Sequence, residues 1–260
     1  MIIMLGGMPT DELSRSPLTE DMRREPIPTR PATRPALKGV VPLALMTVIF
    51  IAYAVPPYLS LDPERARIQP IPPHASYYPL LVSHIFLGSL ALLAACLQVW
   101  PWLRRSHPAV HRWSGRVYVT AALIASVCVM IISPMGLHGA NQRVANTMLA
   151  VLWFGTTLAG LRAIRQHRFA DHRQWMLRSV ALAFSIVAYR VWLVIAFAVL
   201  VPEIYTGAEV DPAALDEAIG LTSWVSWVVN LVIVEWWLHR RPAVAAEELR
   251  RTAGARSAQL

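Results

Sequence analysis

The chain has 260 residues, 55 % of them hydrophobic, a mean hydropathy of +0.44 and a formal charge of +8 at pH 7. Six long apolar blocks divide it, and the arginines gather on alternate sides of those blocks, so the basic balance reports membrane topology and excludes a nucleic-acid-binding face. One helical bundle with short connections uses up this length, which leaves no room for a separate soluble catalytic domain.

The opening stretch carries Pro26, Pro28, Pro31 and Pro35 among arginines, a spacing that lets neither helix nor strand propagate, and residues 1–37 are expected to form a disordered cytoplasmic arm. Its apolar start, Met1–Gly6, lacks a basic flank and is too short for a secretory signal. The apolar blocks follow: Val40–Leu59, Tyr78–Leu103, Val117–Met135, Val144–Leu161, Ser179–Val201 and Leu221–Leu238. Each is about 18 residues or more, enough to cross ~30 Å of hydrocarbon as helix. The expected fold is all-α and polytopic, with a six-helix transmembrane domain over 38–240 and a cytoplasmic tail over 241–260.

With the N-terminus inside, about 20 of the 24 basic residues fall in cytoplasmic segments, while Arg65, Arg67 and Arg143 lie in outer loops and Arg190 within a span. The expectation is an N-in, C-in protein of a bacterial cytoplasmic membrane, attracted to anionic inner-leaflet lipid. Cys96 and Cys128 both fall inside spans, where cysteine acts as a small hydrophobe.

Polar residues within spans are costly and ask for a partner. His84 lies about six residues into the second span, and positions His84, Gly88, Ala91, Ala95 and Gln98 share one helical face of small side chains. Such a face suits either a flat ligand or tight helix packing. Arg190 falls near the middle of the fifth span with no acidic residue at similar depth, so a cofactor carboxylate or an anionic substrate is a candidate partner.

Two connections repeat one another. Arg104-Arg105-Ser106-His107-Pro108 leads to His111-Arg112 and then Arg116; Arg165-Gln166-His167-Arg168 leads to His172-Arg173 and then Arg178, at an offset of about 61 residues. A parallel repeat of two helical hairpins is implied, with spans two to five as a central four-helix bundle and spans one and six outside it. His111 and His172 then occupy equivalent places at the inner ends of spans three and five, an axial-ligand geometry, while Arg112, Arg116, Arg173 and Arg178 form a rim for propionates, phosphates or headgroups. His172 and Arg190 are 18 residues apart, five helical turns, and share a face if that helix is continuous. A zinc or copper cluster of His107, His111, His167 and His172 is an alternative, set against Pro108 and Asp171 as plain helix-start residues.

The stretch from Tyr78 to about Trp192 resembles a family of bacterial membrane proteins known as domain of unknown function 2306. The resemblance rests on His84 and Gly88, His111-Arg112 with Gly115-Arg116 and Tyr118, His172-Arg173 with Trp175-Met176 and Arg178-Ser179, and Arg190. That resemblance implies no activity. In architecture the chain is also similar to diheme b-type cytochromes of the b561 kind, which implies haem held by histidine pairs; His84 departs from that pattern, with His138 the sole candidate partner.

The leading expectation is a membrane redox protein that binds haem b through His111 and His172, uses Arg116, Arg178 or Arg190 for propionates or a quinone, keeps His84 for a second, outer site, and passes electrons between quinol and an acceptor such as a redox partner protein. The alternatives are a transporter or small-molecule-binding protein built on His84 and Arg190, and a non-catalytic scaffold. Hydrolase and ATP-driven pump motifs are absent: no phosphate-loop glycines, CxxC, HExxH or Gly-x-Ser-x-Gly.

Overall fold

The computed structural model describes residues 37–68, 74–136 and 138–257. The arm expected over the first 37 residues lies outside these, save for Leu37 itself. The described chain is helical throughout, with α1 (Leu37–Ala54), α2 (Tyr77–Val99), α3 (Pro101–Ser106), α4 (Pro108–Ile132), α5 (Ala140–Arg165), α6 (Phe169–Ala183), α7 (Ser185–Leu200), α8 (Glu203–Thr206) and α9 (Pro212–Ser257). Five helices are long and apolar enough to span a membrane, and α6 with α7, bent by 41° at their junction, makes a broken sixth.

Helix ends differ from the apolar blocks in the sequence. The second span stops at Val99, because Trp100 is extended ahead of Pro101 and a short helix, α3, restarts there. The third and fifth spans begin at Pro108 and Phe169, well before their apolar runs. Backbone hydrogen bonding continues past the hydrocarbon edge, so arginines assigned to connections ride on the first turns of α4 and α6. Likewise α9 runs on to Ser257, through the expected tail.

Helices α2, α4, α5 and α6 form a closed ring: α2 packs on α4, α4 on α5, α5 on α6, and α6 back on α2. This is the central four-helix bundle, built from the two parallel hairpins α2–α4 and α5–α6, with α4 and α6 diagonally opposed. Tyr118 Oη and Ser179 Oγ, 61 positions apart and thus equivalent in the repeat, meet at 2.7 Å. Equivalent residues on diagonal helices can meet only across the centre of the ring, so this contact lies close to the axis that relates the hairpins.

Within the first hairpin, Ala91, Ala95, Ala122 and Ala125 are fully buried and let the α2 and α4 backbones approach closely. Helix α1 packs chiefly against α2; Val41, Leu45, Val48 and Ile49 stay exposed, as a lipid-facing helix requires. Helix α9 is more than an outer strut, since it packs against α5, α6 and α7.

The break between α6 and α7 contains neither Pro nor Gly. Ser185 Oγ donates to the Leu182 carbonyl at 2.6 Å, a back-bond that bends helices, and Phe184 is left as a hinge with φ −77° and ψ −3°. The Ala181 carbonyl at the break accepts from Asn230 Nδ2 of α9 at 3.0 Å, so the break leaves that acceptor satisfied inside the bundle.

Candidate functional site

His111 and His172 are each the fourth residue of their helix, one on α4 and one on α6. Their local folding matches too, with His111 N–H donating to His107 O and His172 N–H to Arg168 O. Pro108 opens α4, and Asp171 sits in the first turn of α6 where it receives Arg168 Nη1 at 2.9 Å, so both act as helix-start residues. The His111 imidazole lies within electrostatic reach of both His172 and Arg104.

Their hydrogen bonding differs in an informative way. His172 Nδ1 lies 2.8 Å from the Gly160 carbonyl oxygen, which can only accept, so Nδ1 carries the proton and Nε2 keeps the lone pair. This is the tautomer and the anchoring carbonyl that a metal-ligating histidine uses. His111 Nδ1 is buried without a hydrogen-bond partner. It is the ring atom that a carbonyl holds in His172, so the two imidazoles are anchored differently.

A sealed polar knot closes the bundle below this pair. Tyr118 Oη meets Ser179 Oγ, which meets Thr157 Oγ1 at 2.6 Å; Thr157 Oγ1 also reaches the Trp153 carbonyl at 2.7 Å, and Trp153 Nε1 donates to Tyr118 Oη at 3.4 Å. Tyr118, Thr157 and Ser179 are each fully buried. Seven residues separate His111 from Tyr118, roughly 10 Å of helix, so a ligand between the histidines has the outer two turns of the bundle and no more. On one flank Gln98 Nε2 fills the α2–α4 gap, donating to the His111 carbonyl and Ser114 Oγ, both at 2.6 Å. At Gly160 even a methyl group would meet Met176 Sδ at 2.7 Å, so α5 and α6 touch closely where the anchoring carbonyl sits.

The arginines divide. Arg112 and Arg116 are exposed beside His111, with Arg116 5.4 Å from the Trp113 ring centroid, and Arg173 lies 5.4 Å from that of Trp237. Arg178 is engaged: Nε and Nη2 donate to the two oxygens of Glu235, and its Cζ stands 4.9 Å from the Trp175 ring centroid. This bidentate pair ties α6 to α9.

His84 and Arg190 lie at the other end. His84 Nδ1 donates to the Ala125 carbonyl at 3.0 Å, and of its face Ala91 and Ala95 are fully buried and Gln98 bonds α4, whereas a methyl group at Gly88 would meet only the His84 ring, at 3.9 Å. His138, the candidate partner of His84, bonds Asp216 at 3.2 Å instead. Arg190 is not at mid-depth: it stands over Tyr53, one residue from the end of α1, and its neighbour Tyr189 reaches Gln142, near the start of α5. The break at Phe184 also removes the shared face with His172, which required a continuous helix. The four-histidine metal cluster does not form: among the described residues no three His, Cys, Asp or Glu side chains gather, His107 stacks on Trp102 at 4.8 Å, and His167 turns away with φ +60° to meet Phe169 edge-on.

Apolar spanning helices and a closed helical ring define a polytopic all-α membrane protein. Residues 81–238 match the model of the predicted membrane protein family DUF2306, and the chain belongs to that family. No curated protein and no solved structure matches it.

Proposed function

We propose that the end of the bundle bearing His111 and His172 binds one b-type haem between these residues, and that the protein carries electrons, with membrane quinol as donor and a partner protein as acceptor. The observation that supports this is the placing of repeat-equivalent histidines in the first turns of diagonal helices at one end of the bundle, one of them locked in the ligating tautomer by Gly160 O. When bound, the group supplies a one-electron couple, tuned by axial ligation and local charge. The chain's own residues do the rest. Gly160 orients His172, Tyr118 and Ser179 close the floor, and Arg112, Arg116 and Arg173 offer cations to the propionates at the helix ends. Arg178, committed to Glu235, serves as a strut, and His84 and Arg190 take no part in this site.

The test is an absorption spectrum of the detergent-purified protein, oxidised and then dithionite-reduced, with His111→Ala and His172→Ala beside it. A reduced α-band present in the parent and lost in both variants is expected. A colourless protein from haem-replete cells, with both variants folded like the parent, rules the reading out and returns the protein to the transporter and scaffold alternatives.

The same reading places the protein in a bacterial cytoplasmic membrane with both termini inside, because the basic residues collect at the histidine end. Ser106 and Thr206 are exposed at opposite ends of the bundle. A membrane-impermeant thiol reagent applied to intact spheroplasts should label Thr206→Cys and spare Ser106→Cys; the opposite pattern inverts the topology.

A further inference from the structure

Two guanidinium groups converge at the end opposite the histidines. Arg67 Cζ stands 3.7 Å and Arg190 Cζ 5.8 Å from the centroid of one ring, Tyr53. The two charges are therefore within roughly 10 Å of each other, about one Debye length, where like charges repel. Among the described residues neither meets a carboxylate: Asp62 is taken by Arg65, Asp171 by Arg168, Asp216 by His138 and Glu235 by Arg178.

Beside them lies a buried aromatic floor. Tyr58, 3 % exposed, rests against the backbone of Ile68 and within electrostatic reach of Arg67, Arg190 and Tyr78. The Tyr78 hydroxyl is buried and has no hydrogen-bond partner. Two convergent cations without a counter-charge and an orphaned phenol donor thus lie at one end of the bundle, beside the end of α1.

We propose that Arg67, Arg190 and Tyr78 form a phosphate-binding site that takes a phosphomonoester or phosphodiester group, supplied by a lipid headgroup or by free phosphate. A tetrahedral, acceptor-only anion matches the set: each guanidinium donates two N–H bonds in a fork, the Tyr78 hydroxyl donates one, and Tyr53 holds both forks in register by cation–π contact. The site is independent of the haem reading, and its failure leaves that reading untouched.

The test uses full-length protein, delipidated in neutral detergent, and follows thermal unfolding during titration with three probes: dioctanoyl phosphatidylglycerol, dioctanoylglycerol, which lacks the phosphate, and inorganic phosphate. Saturable stabilisation by phosphatidylglycerol with none from dioctanoylglycerol is expected, and an equal response to inorganic phosphate assigns the site to the free ion. Arg67→Gln and Arg190→Gln should each weaken the apparent affinity about tenfold, as loss of one charge-assisted fork implies. Tyr78→Phe, which keeps the ring, should weaken it by a smaller factor. Arg143→Gln removes an exposed guanidinium from the same end and should bind like the parent. Stabilisation by dioctanoylglycerol, none by either phosphate probe, or an Arg143→Gln loss as large as that of Arg190→Gln overturns the proposal. If a glutamine variant unfolds before titration, Arg67→Lys and Arg190→Lys, which keep the charge and lose the fork, provide the readout: affinity weakened in both supports the site, and affinity unchanged in both overturns it.

Discussion

At the scale of single residues, cost in the membrane singles out side chains that need a partner without saying which partner each one finds. His84 and Arg190 stand out in the sequence as polar groups within apolar runs, and His111, His172 and Arg178 as polar groups at their edges; in the structure each has a specific environment. Arg190 falls in the middle of the fifth apolar run, yet it stands beside the end of α1, and its neighbour Tyr189 reaches the start of α5. Hydropathy marks where side chains turn apolar; helix ends are set by Pro, capping and backbone bonding, which reach further. The partner of Arg178 was hidden for another reason: Glu235 is 57 positions away on a helix whose packing against α6 has no periodic signature. The Tyr118–Ser179 bond, by contrast, was within reach of the sequence, since the offset of 61 that relates the two histidines also relates these two residues.

At the scale of elements, the broken span is the feature the sequence concealed most completely. Breaks are sought at Pro and Gly, and residues 181–188 have neither. Here a serine back-bond starts the bend and a side-chain amide from α9 takes up a freed carbonyl. Asn230 therefore stabilises the bent form specifically. Asn230→Leu leaves the Ala181 acceptor half-buried and unpaired, and should cost about 1–2 kcal/mol of stability, the upper range for hydrogen bonds between transmembrane helices. Unfolding in detergent micelles by a strong denaturant measures this, and a variant as stable as the parent would show that the break is held by packing alone. The hairpins were easier to foresee, because α2–α4 and α5–α6 have short connections and repeated chemistry, and helices joined in that way pack as antiparallel neighbours.

At the scale of the whole molecule, the ring of four helices with its two ends of different character was legible from the alternation of apolar blocks and arginines together with the internal repeat. What alternation could not convey is that the two ends are chemically unlike: one gathers paired imidazoles under basic helix starts, the other gathers tyrosines around two arginines. The contact on the axis carries a consequence for how such a chain arises. If the hairpins descend from one duplicated unit, every position away from the axis can keep the same residue in both copies, but the position on the axis cannot, because both copies of that residue compete for one volume. A tyrosine facing a serine resolves the conflict, and the pair must have diverged together, each limiting the other. Ser179→Tyr should overfill the centre and Tyr118→Ser should empty it, each costing about 2–4 kcal/mol. Exchanging both at once restores the summed volume with the partners reversed, and its melting temperature should exceed that of either single variant. A double exchange that melts no higher than the weaker single would mean that the two copies are fitted to their neighbours rather than to each other.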